Sequence, residues 1–306
     1  MVRVSGRFAP SPTGDLHLGN LRTAVVAWLS ARSVGTEFLV RMEDLDRHQS
    51  HALHEQSQLA DLAALGMDWD GAVVRQSERF ALYDDAIDQL ARRDLVYECF
   101  CTRREIQMEI SESAAAPHGP PGSYPGTCRD LDDDERAAHR AAGRMPAVRL
   151  RSDHSAVIVR DTFAGDYSAM VDDVVLRRND GVPAYNLAVV VDDGLQAVSQ
   201  VVRGDDLLSS TPRQVMLQRL LGMATPTYFH IPLVMGADGH RLAKRHGAVT
   251  MRELDLVGVG RREVLDWIGT SLELSSVGEH VTLDRLLERF DVDLIPRDPV
   301  DQPKLA

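Results

Sequence analysis

A histidine and a glycine two residues apart follow a proline-rich stretch near the start of the chain. The segment at 7–20 reads RFAPSPTGDLHLGN and ends in His17, Gly19 and Asn20. Apolar residues at helical spacing follow, so His17 is expected at a helix N-terminus. Free N–H groups and the helix dipole favour phosphate there, and a glycine lets a base or phosphate approach the backbone. An ordinary strand-to-helix turn with an incidental histidine would give the same pattern.

A lysine in a basic, glycine-flanked segment is the second candidate for phosphate chemistry. The chain has 34 Lys plus Arg residues, of which only Lys244 and Lys304 are lysines. A compact ammonium suits a triphosphate, and a mobile loop can carry that charge from ground state to transition state. The bias towards arginine therefore predicts a specific role for Lys244. Chance retention of a surface lysine is the alternative.

Charged side chains near the ends of predicted strands could together hold an amino acid. Arg7 and Glu43 lie near the ends of the first two predicted strands. Tyr185 and Arg203 lie at the ends of two later strands that we expect to be adjacent. Two arginines can bind two carboxylates and a glutamate side chain can bind an ammonium, so the set predicts a site for an acidic amino acid. Each residue could instead form an ion pair within the protein.

The three cysteines of the chain lie close together in sequence, at Cys99, Cys101 and Cys128. Structural zinc is bound by four ligands in a tetrahedron, and this spacing supplies three thiolates. His118 is the fourth ligand that chemistry favours, since imidazole commonly accompanies thiolates. Tyr124 is an unusual ligand but lies four residues before Cys128. Buried free thiols or a redox pair are the alternatives to a metal site.

Alternating strands and helices must bring these residues together. Strands are expected at 1–4, 36–41, 183–191, 197–202 and 229–235. Helices are expected from His17 to about Ser33, at 53–65, from Ser77 as N-cap to about Asp94, and from about 209 to 221. The near-continuous apolar run at 183–191 is typical of a buried parallel strand. The alternation predicts an α/β fold with a doubly wound parallel sheet.

The middle of the chain breaks this alternation. Residues 97–183 contain a Pro/Gly-rich loop, a charged helix at 131–142 and alternating strand-like segments, so we expect a mixed α/β insertion. Residues 1–96 and 184–250 would then be the two halves of the sheet domain. Residues 251–306 are expected to form a helical C-terminal region that ends in a proline-containing tail.

Composition restricts the class of protein. The chain has 306 residues, of which 44% are hydrophobic and 26% charged, which is ordinary for a globular protein. Its net charge of −12 argues against a generally basic nucleic-acid binder, although a local basic face is compatible with it. No apolar run approaches the roughly 20 residues of a membrane span, and no signal peptide is recognisable. We expect a cytoplasmic protein without a membrane segment.

Five segments in order resemble the class I glutamyl-tRNA synthetases. The opening segment RFAPSPTGDLHLGN resembles their His-x-Gly-His signature, with Asn20 in the last place, and RMEDLDR resembles their R-I-E-D-T-D segment. PAYNLAVVVDD and VVRGDDLLSSTPRQ resemble GVPTYNFAVVVDD and IRGEDHLSNTPRQ. RLAKR at 241–245 resembles the second signature, Lys-Met-Ser-Lys-Ser, with Arg241 and Ala243 in place of its first lysine and its serine.

This resemblance implies a Rossmann-type catalytic domain that activates glutamate with ATP and Mg²⁺. The residues implied around glutamate are Arg7, Ala9, Ser11, Glu43, Tyr185 and Arg203. Those implied for ATP are His17, Gly19, Asn20 and Lys244, and His17, Gly19 and Lys244 are also implied in catalysis. Bacterial members are longer and carry a helical anticodon-binding region after the second signature, for which residues 251–306 are too few.

The cysteine cluster and its Pro/Gly-rich loop resemble those of the short paralogues, the glutamyl-queuosine tRNA(Asp) synthetases. That resemblance implies transfer of glutamate to the queuosine base in the anticodon loop of tRNA(Asp). It also implies one structural zinc ion per chain, with Tyr124 and not His118 completing the set of Cys99, Cys101 and Cys128. We expect a monomer.

Three other functions fit parts of the same pattern. A shortened glutamyl-tRNA synthetase would charge tRNA(Glu), and a non-catalytic paralogue would only bind tRNA or an amino acid. A nucleotidyltransferase could share the His-x-Gly motif, but it would have no need of a pocket suited to glutamate. Glutamate-dependent ATP–pyrophosphate exchange and charging assays distinguish these possibilities.

Overall fold

The computed structural model describes residues 4–112, 123–236, 242 and 249–303. The strands are β1 (Ser5–Phe8), β2 (Glu37–Met42), β3 (Val74–Arg75), β4 (Val96–Cys99), β5 (Ala147–Leu150), β6 (Ala156–Asp161), β7 (Gly165–Met170), β8 (Val175–Arg177), β9 (Val198–Gly204), β10 (Thr227–Ile231), β11 (Val234–Met235) and β12 (Val300–Asp301). The helices are α1 (Leu18–Ser33), α2 (Ala52–Ala64), α3 (Phe80–Ala91), α4 (Arg103–Glu112), α5 (Asp133–Ala141), α6 (Tyr185–Leu195), α7 (Thr211–Leu221), α8 (Met251–Leu256), α9 (Arg261–Ser271) and α10 (Leu283–Arg289).

Seven strands form the central sheet, in the order β3-β2-β1-β9-β10-β6-β7. All neighbours are parallel except β6 and β7, which are antiparallel. The chain runs outwards from β1 through β2 to β3 on one side, and from β9 to β10 on the other. This reversal of strand order lies between β1 and β9, and such a switch point opens a crevice at the carboxyl ends of the strands.

Helices pack on the sheet in two apolar clusters. The first cluster contains the buried side chains of α1, among them Leu21 and Val25, together with side chains of α9 and α10. The second contains side chains of α3, α6 and α7, such as Tyr83, Val190 and Leu217. Helices therefore enclose the parallel sheet, and the predicted doubly wound α/β fold is confirmed.

The segment predicted as a strand at 183–191 is wrong, because it forms α6 instead. Seven consecutive residues of this helix, from Leu187 to Asp193, are buried. Within it, residues 187–191 are all apolar because the helix is enclosed, and such a run does not differ from that of a central parallel strand. Tyr185 consequently lies at the first residue of a helix and not at the end of a strand.

Several element boundaries also differ from expectation. The first strand is at Ser5–Phe8 and not at 1–4, and Val4 is 40% exposed; residues 1–3 lie outside the described part. Ser77 does not cap a helix, because it lies in a short 3₁₀ turn and its N–H and hydroxyl donate to Asp44 at 2.8 and 2.5 Å. The strand expected at 229–235 is divided into β10 and β11.

The segment at 97–183 contributes to two sheets. Strands β4, β5 and β8 form a small antiparallel sheet. Strands β6 and β7 instead extend the central sheet beyond β10, with Asp161 opposite Tyr228. Part of the expected insertion is therefore continuous with the sheet domain.

The C-terminal region packs on the first helix of the chain. Arg22 of α1 is buried and donates to the Ser271 hydroxyl at 3.1 Å and to the Pro232 carbonyl at 3.0 Å. The expected tail includes β12, which pairs with β11, and Ile295 is buried in the first core cluster. Within the described part of the chain, no helix has both the length and the apolar character needed to cross a bilayer.

Candidate active site

A cavity of about 750 Å³ opens at the carboxyl ends of β1 and β9, where the strand order reverses. Nine residues predicted from the sequence line it, namely Arg7, Ala9, Ser11, His17, Gly19, Asn20, Glu43, Tyr185 and Arg203. Lys244 lies outside the described residues, as do Arg241 and Ala243. The fold thus gathers into one cavity residues that are up to 196 positions apart, from Arg7 to Arg203.

His17 caps the helix that it precedes. Its Nδ1 accepts the Asn20 N–H at 3.2 Å, and its own N–H donates to Asn20 Oδ1 at 3.3 Å. The Leu18 N–H donates to the Val249 carbonyl at 3.0 Å, and His17 forms a β-bridge with Thr250. The start of α1 is therefore bonded to residues 249 and 250, which follow the second signature. A site shared by the two signatures requires this proximity.

Gly19 is required by the position of the His17 ring. A Cβ at Gly19 would lie 3.0 Å from His17 Cε1 and 3.1 Å from Nδ1. A side chain at Gly19 would therefore crowd the ring that caps α1, which would have to move by a few tenths of an ångström. Gly19, which is expected to let a ligand approach the backbone, thus also leaves space for the His17 ring that caps the helix.

The loop between β1 and α1 is held by a side chain that the sequence analysis missed. The buried Gln58 of α2 donates through Nε2 to the carbonyls of Ser11 and Gly14, at 3.1 and 2.7 Å. These contacts fix the proline-rich loop that forms one wall of the cavity. No sequence signal marked Gln58, since it is an ordinary polar residue within an amphipathic helix.

Glu43 is a nearly enclosed carboxylate at the end of β2. Its side chain is 11% exposed, and the nearest cation is Arg41, with Nη2 3.6 Å from Oε1. Burial raises the pKa of Glu43 to about 7, although Arg41 and Arg7 oppose the shift. A ligand ammonium would supply the attraction that this carboxylate lacks.

Arg7 and Arg41 share a buried carboxylate that was not among the predicted site residues. Asp193 Oδ1 lies 3.3 Å from Arg7 Nε and 2.8 Å from Arg41 Nη1. Burial opposes ionisation of Asp193, but Arg41 and Arg7 outweigh it and hold its pKa below the usual value. Asp192 and Asp193 directly follow the apolar run of α6. These two acidic residues were the signal in the sequence that could have indicated this network.

Arg203 and Tyr185 also line the cavity. Arg203 Nη2 donates to the Thr211 hydroxyl at 2.8 Å, and Nε donates to His230 at 2.9 Å. Its buried Nη1 has no hydrogen-bond partner among the described residues. Burial, together with the charge of Glu43, raises the pKa of the Tyr185 phenol, which therefore stays protonated.

The cysteines form a compact cluster away from this cavity. The Sγ atoms of Cys99, Cys101 and Cys128 lie within 4.8 Å of one another. The Tyr124 hydroxyl is 3.5 Å from Cys101 Sγ and accepts the Cys128 N–H at 2.8 Å. His118 lies outside the described residues. Tetrahedral zinc with Zn–S bonds of about 2.3 Å places sulfurs about 3.8 Å apart, so the three thiols fit such an ion.

Residues 3–272 match the family described as tRNA synthetases class I (E and Q), catalytic domain. The chain belongs to this family. As a class I synthetase domain, it has the architecture for ATP-dependent activation of an amino acid and the charging of tRNA.

Two kinds of relative match this synthetase over different shares of their length. The glutamyl-Q tRNA(Asp) synthetase of Nocardia farcinica (strain IFM 10152) is 56% identical over 96% of this chain and 92% of its own. That of Cutibacterium acnes (strain DSM 16379 / KPA171202) is 52% identical over 90% of this chain and 78% of its own. The glutamate–tRNA ligase of Oleidesulfovibrio alaskensis is 40% identical over 97% of this chain but only 63% of its own.

A solved structure gives the same result for the fold. The glutamate tRNA ligase of Elizabethkingia meningosepticum CCUG26117, crystallised in complex with its amino acid, superposes with a TM-score of 0.82. It is 26% identical, and the match covers 98% of this synthetase and 67% of that chain. The described fold is thus that of a synthetase catalytic domain.

Proposed function

We propose that the chain activates L-glutamate with ATP and transfers the glutamyl group to the queuosine base in the anticodon loop of tRNA(Asp). The observation that carries the first step is the charge pattern of the cavity, where two arginines and one carboxylate surround space for a small ligand. The acceptor is supported by relatives named glutamyl-Q tRNA(Asp) synthetase, which match over most of their own length.

The glutamate site uses charges of both signs. Arg7 and Arg203 bind the two carboxylates of the ligand, and Glu43 binds its ammonium. Tyr185, Ala9 and Ser11 line the same cavity and limit its size. A ligand with only one carboxylate, bound at Arg7, would leave the buried Nη1 of Arg203 without a partner, which disfavours neutral amino acids.

The ATP site lies at the start of α1. His17, Gly19 and Asn20 line the cavity there, and the resemblance of the second signature assigns Lys244 to the same site. The α-carboxylate of glutamate attacks the α-phosphorus, the bond to the bridging oxygen breaks, and pyrophosphate leaves. Mg²⁺ supplies charge neutralisation on the phosphates when bound. The chain's own contribution is mainly position and electrostatic stabilisation.

The second step forms an ester. A queuosine hydroxyl attacks the carbonyl carbon of glutamyl-adenylate and releases AMP.

We also infer that Cys99, Cys101, Cys128 and Tyr124 hold one structural zinc ion. The monomeric state and cytoplasmic location stay predictions.

Two assays test the proposed function. We expect pyrophosphate exchange that depends on L-glutamate, followed by glutamylation of queuosine-containing tRNA(Asp) from which the 3′-terminal adenosine has been removed. Unmodified tRNA(Asp) and tRNA(Glu) should not be labelled. Labelling of intact tRNA(Glu) that is lost when its 3′-terminal adenosine is removed would indicate ordinary aminoacylation. Absence of exchange would indicate a non-catalytic paralogue.

A further inference from the structure

Arg203 is held from behind by side chains of two other strands. His230 of β10 accepts the Arg203 Nε–H at Nε2, and its Nδ1 lies 2.6 Å from Asp161 Oδ2 on β6. The relative exposures of Arg203, His230 and Asp161 are 5%, 2% and 6%. The chain of contacts therefore runs through the protein interior and ends at the cavity.

The contacts determine which nitrogen of His230 carries the proton. Arginine Nε–H can only donate, so His230 Nε2 must be an unprotonated acceptor. Nδ1 then carries the hydrogen and donates it to Asp161. Burial lowers the pKa of His230 even though the bond to Asp161 opposes that shift, so the ring is neutral near pH 7.

Asp161 is itself fixed by the backbone. Its Oδ1 accepts the N–H groups of Phe163 and Ala164 at 2.9 and 2.8 Å, and Oδ2 accepts the His230 N–H at 3.1 Å. Burial opposes its ionisation, but the His230 and backbone hydrogen bonds outweigh burial and keep its pKa below the usual value. Asp161 is thus a carboxylate that accepts hydrogen bonds from fixed directions.

A neutral histidine orients the guanidinium without cancelling its charge. Arg7 differs, because its nearest partner is the carboxylate of Asp193. With Nε and Nη2 occupied by His230 and Thr211, only Nη1 of Arg203 lacks a partner among the described residues. Arg203 therefore presents an oriented guanidinium group to the cavity that it lines, with Glu43 and Asp193 as nearby anions.

We propose that Asp161 and His230 are positioning residues that fix the guanidinium of Arg203 for one carboxylate of the bound amino acid. This inference rests on the proposed function, in which that amino acid is glutamate. It also gives β6 a part in the amino-acid site, although β6 lies within the segment expected to be an insertion.

Asp161→Asn tests the inference with almost no change of shape. Two backbone N–H groups meet Oδ1 and only one, that of His230, meets Oδ2, so the amide oxygen of the variant takes the place of Oδ1 and its NH₂ faces His230. The NH₂ would donate to Nδ1 and move the ring proton to Nε2, where it would meet the Arg203 Nε–H. Donor would then face donor, and Arg203 would turn away from its present direction.

We expect Asp161→Asn to raise the glutamate KM in pyrophosphate exchange by about 10- to 100-fold, the usual effect of losing an oriented charge-assisted hydrogen bond. The ATP KM should change by less than about twofold, because neither Asp161 nor His230 lines the cavity and both act through Arg203, which is assigned to glutamate. Asp173→Asn is the matched control. Asp173 is also a buried carboxylate, but the arginine that it contacts, Arg129, does not line the cavity. An unchanged glutamate KM, or an equal rise in Asp173→Asn, would overturn the inference.

A pair of His230 variants gives an independent answer if Asp161→Asn does not fold. Glutamine can accept from Arg203 and donate to Asp161, whereas leucine can do neither. We expect His230→Gln to keep the glutamate KM within about fivefold of wild type, and His230→Leu to raise it at least about tenfold. Equal glutamate KM values for the two variants would contradict the positioning role of His230. Absence of glutamate-dependent exchange in the wild-type protein would instead refute the proposed function.

Discussion

Glu43 is a carboxylate whose surroundings oppose its charge. It is almost enclosed, and burial raises its pKa to about 7 while Arg41 and Arg7 only partly compensate. An ammonium bound beside it would favour the ionised form. Affinity for the amino acid and protonation of Glu43 are therefore linked.

The first prediction concerns pH. Below pH of about 7 Glu43 becomes protonated in the free protein, so the glutamate KM should rise by about tenfold per pH unit. Glu43→Gln should raise the KM at pH 8 by about 100-fold or more and make it nearly independent of pH. Pyrophosphate exchange from pH 6 to 8.5 measures both, with Glu78→Gln on the surface as the control. A wild-type profile that is flat in this range would contradict the assignment.

The second prediction concerns stability. The folded-state pKa of Glu43 is raised, so the folded protein holds an unfavourable anion at high pH, and this cost disappears as the pH falls below the unfolded-state value. Glu43→Gln should therefore increase the free energy of unfolding above pH 7 by up to about 3 kcal/mol, and leave it unchanged near pH 4. Urea unfolding at the two pH values measures this difference. A loss of stability at pH 8 would be the opposite result.

At the scale of elements, the N-terminal cap of α1 coincides with the proposed ATP site. The His17 ring accepts a hydrogen bond from the Asn20 N–H and lies against Gly19. The residue that caps the beginning of the helix therefore also lines the cavity. A change at Gly19 must therefore alter both stability and ligand binding.

We predict that Gly19→Ala displaces the His17 ring, because the new Cβ would lie 3.0 Å from it. The loss of the cap should cost about 1 kcal/mol, and the ATP KM should rise by about tenfold. Thr282→Ala is the control, since Thr282 caps α10 through the Arg285 N–H and does not line the cavity. It should lose similar stability at an unchanged ATP KM. If Gly19→Ala and Thr282→Ala had the same ATP KM, the His17 ring would have no part in ATP binding.

A second prediction at this scale tests the zinc site. Metal analysis of the purified protein should give about one zinc ion per chain, as three thiolates with a fourth ligand imply. Cys128→Ser should lose most of it, and Tyr124→Phe should weaken zinc binding by at least about tenfold in competition with a chelator. Tyr97→Phe is the control, since its hydroxyl donates to Asp173. Full zinc affinity in Tyr124→Phe would leave His118 as the candidate ligand.

At the scale of the whole molecule, the C-terminal helices belong to the same core as the active-site helix. Leu265, Ile268, Leu272 and Leu286 are buried in the cluster that contains the apolar side chains of α1. Arg22 adds hydrogen bonds from α1 to Ser271 and Pro232. The region after 250 is therefore part of the catalytic fold and not an appended module.

We predict that a chain ending at residue 250 does not fold. Each buried leucine or isoleucine contributes about 1.5–3 kcal/mol, and four of them together match the total stability of a typical domain, about 5–15 kcal/mol. Circular dichroism should find no cooperative thermal transition in the shortened chain. A cooperative transition like that of the complete chain would refute this account of the core.

Much of the candidate site was accessible from the sequence, because its residues carry chemistry that few other positions need. Arg7, Glu43 and Arg203 were chosen for their charge near strand ends, and all of them line one cavity. The fold class followed from alternating apolar segments, whose periodicity depends on local geometry. The cysteine cluster followed from the rarity of cysteine in the chain.

Tertiary structure alone decided the rest. Periodicity failed for α6, since residues 187–191 of this enclosed helix are all apolar, as those of a central strand are. Gln58, Asp161 and His230 act through hydrogen bonds to residues 27 to 69 positions away, and local sequence contains no signal for such pairs. Side-chain type reveals which residues can bind a charged ligand, but only packing determines which neighbours hold them in place.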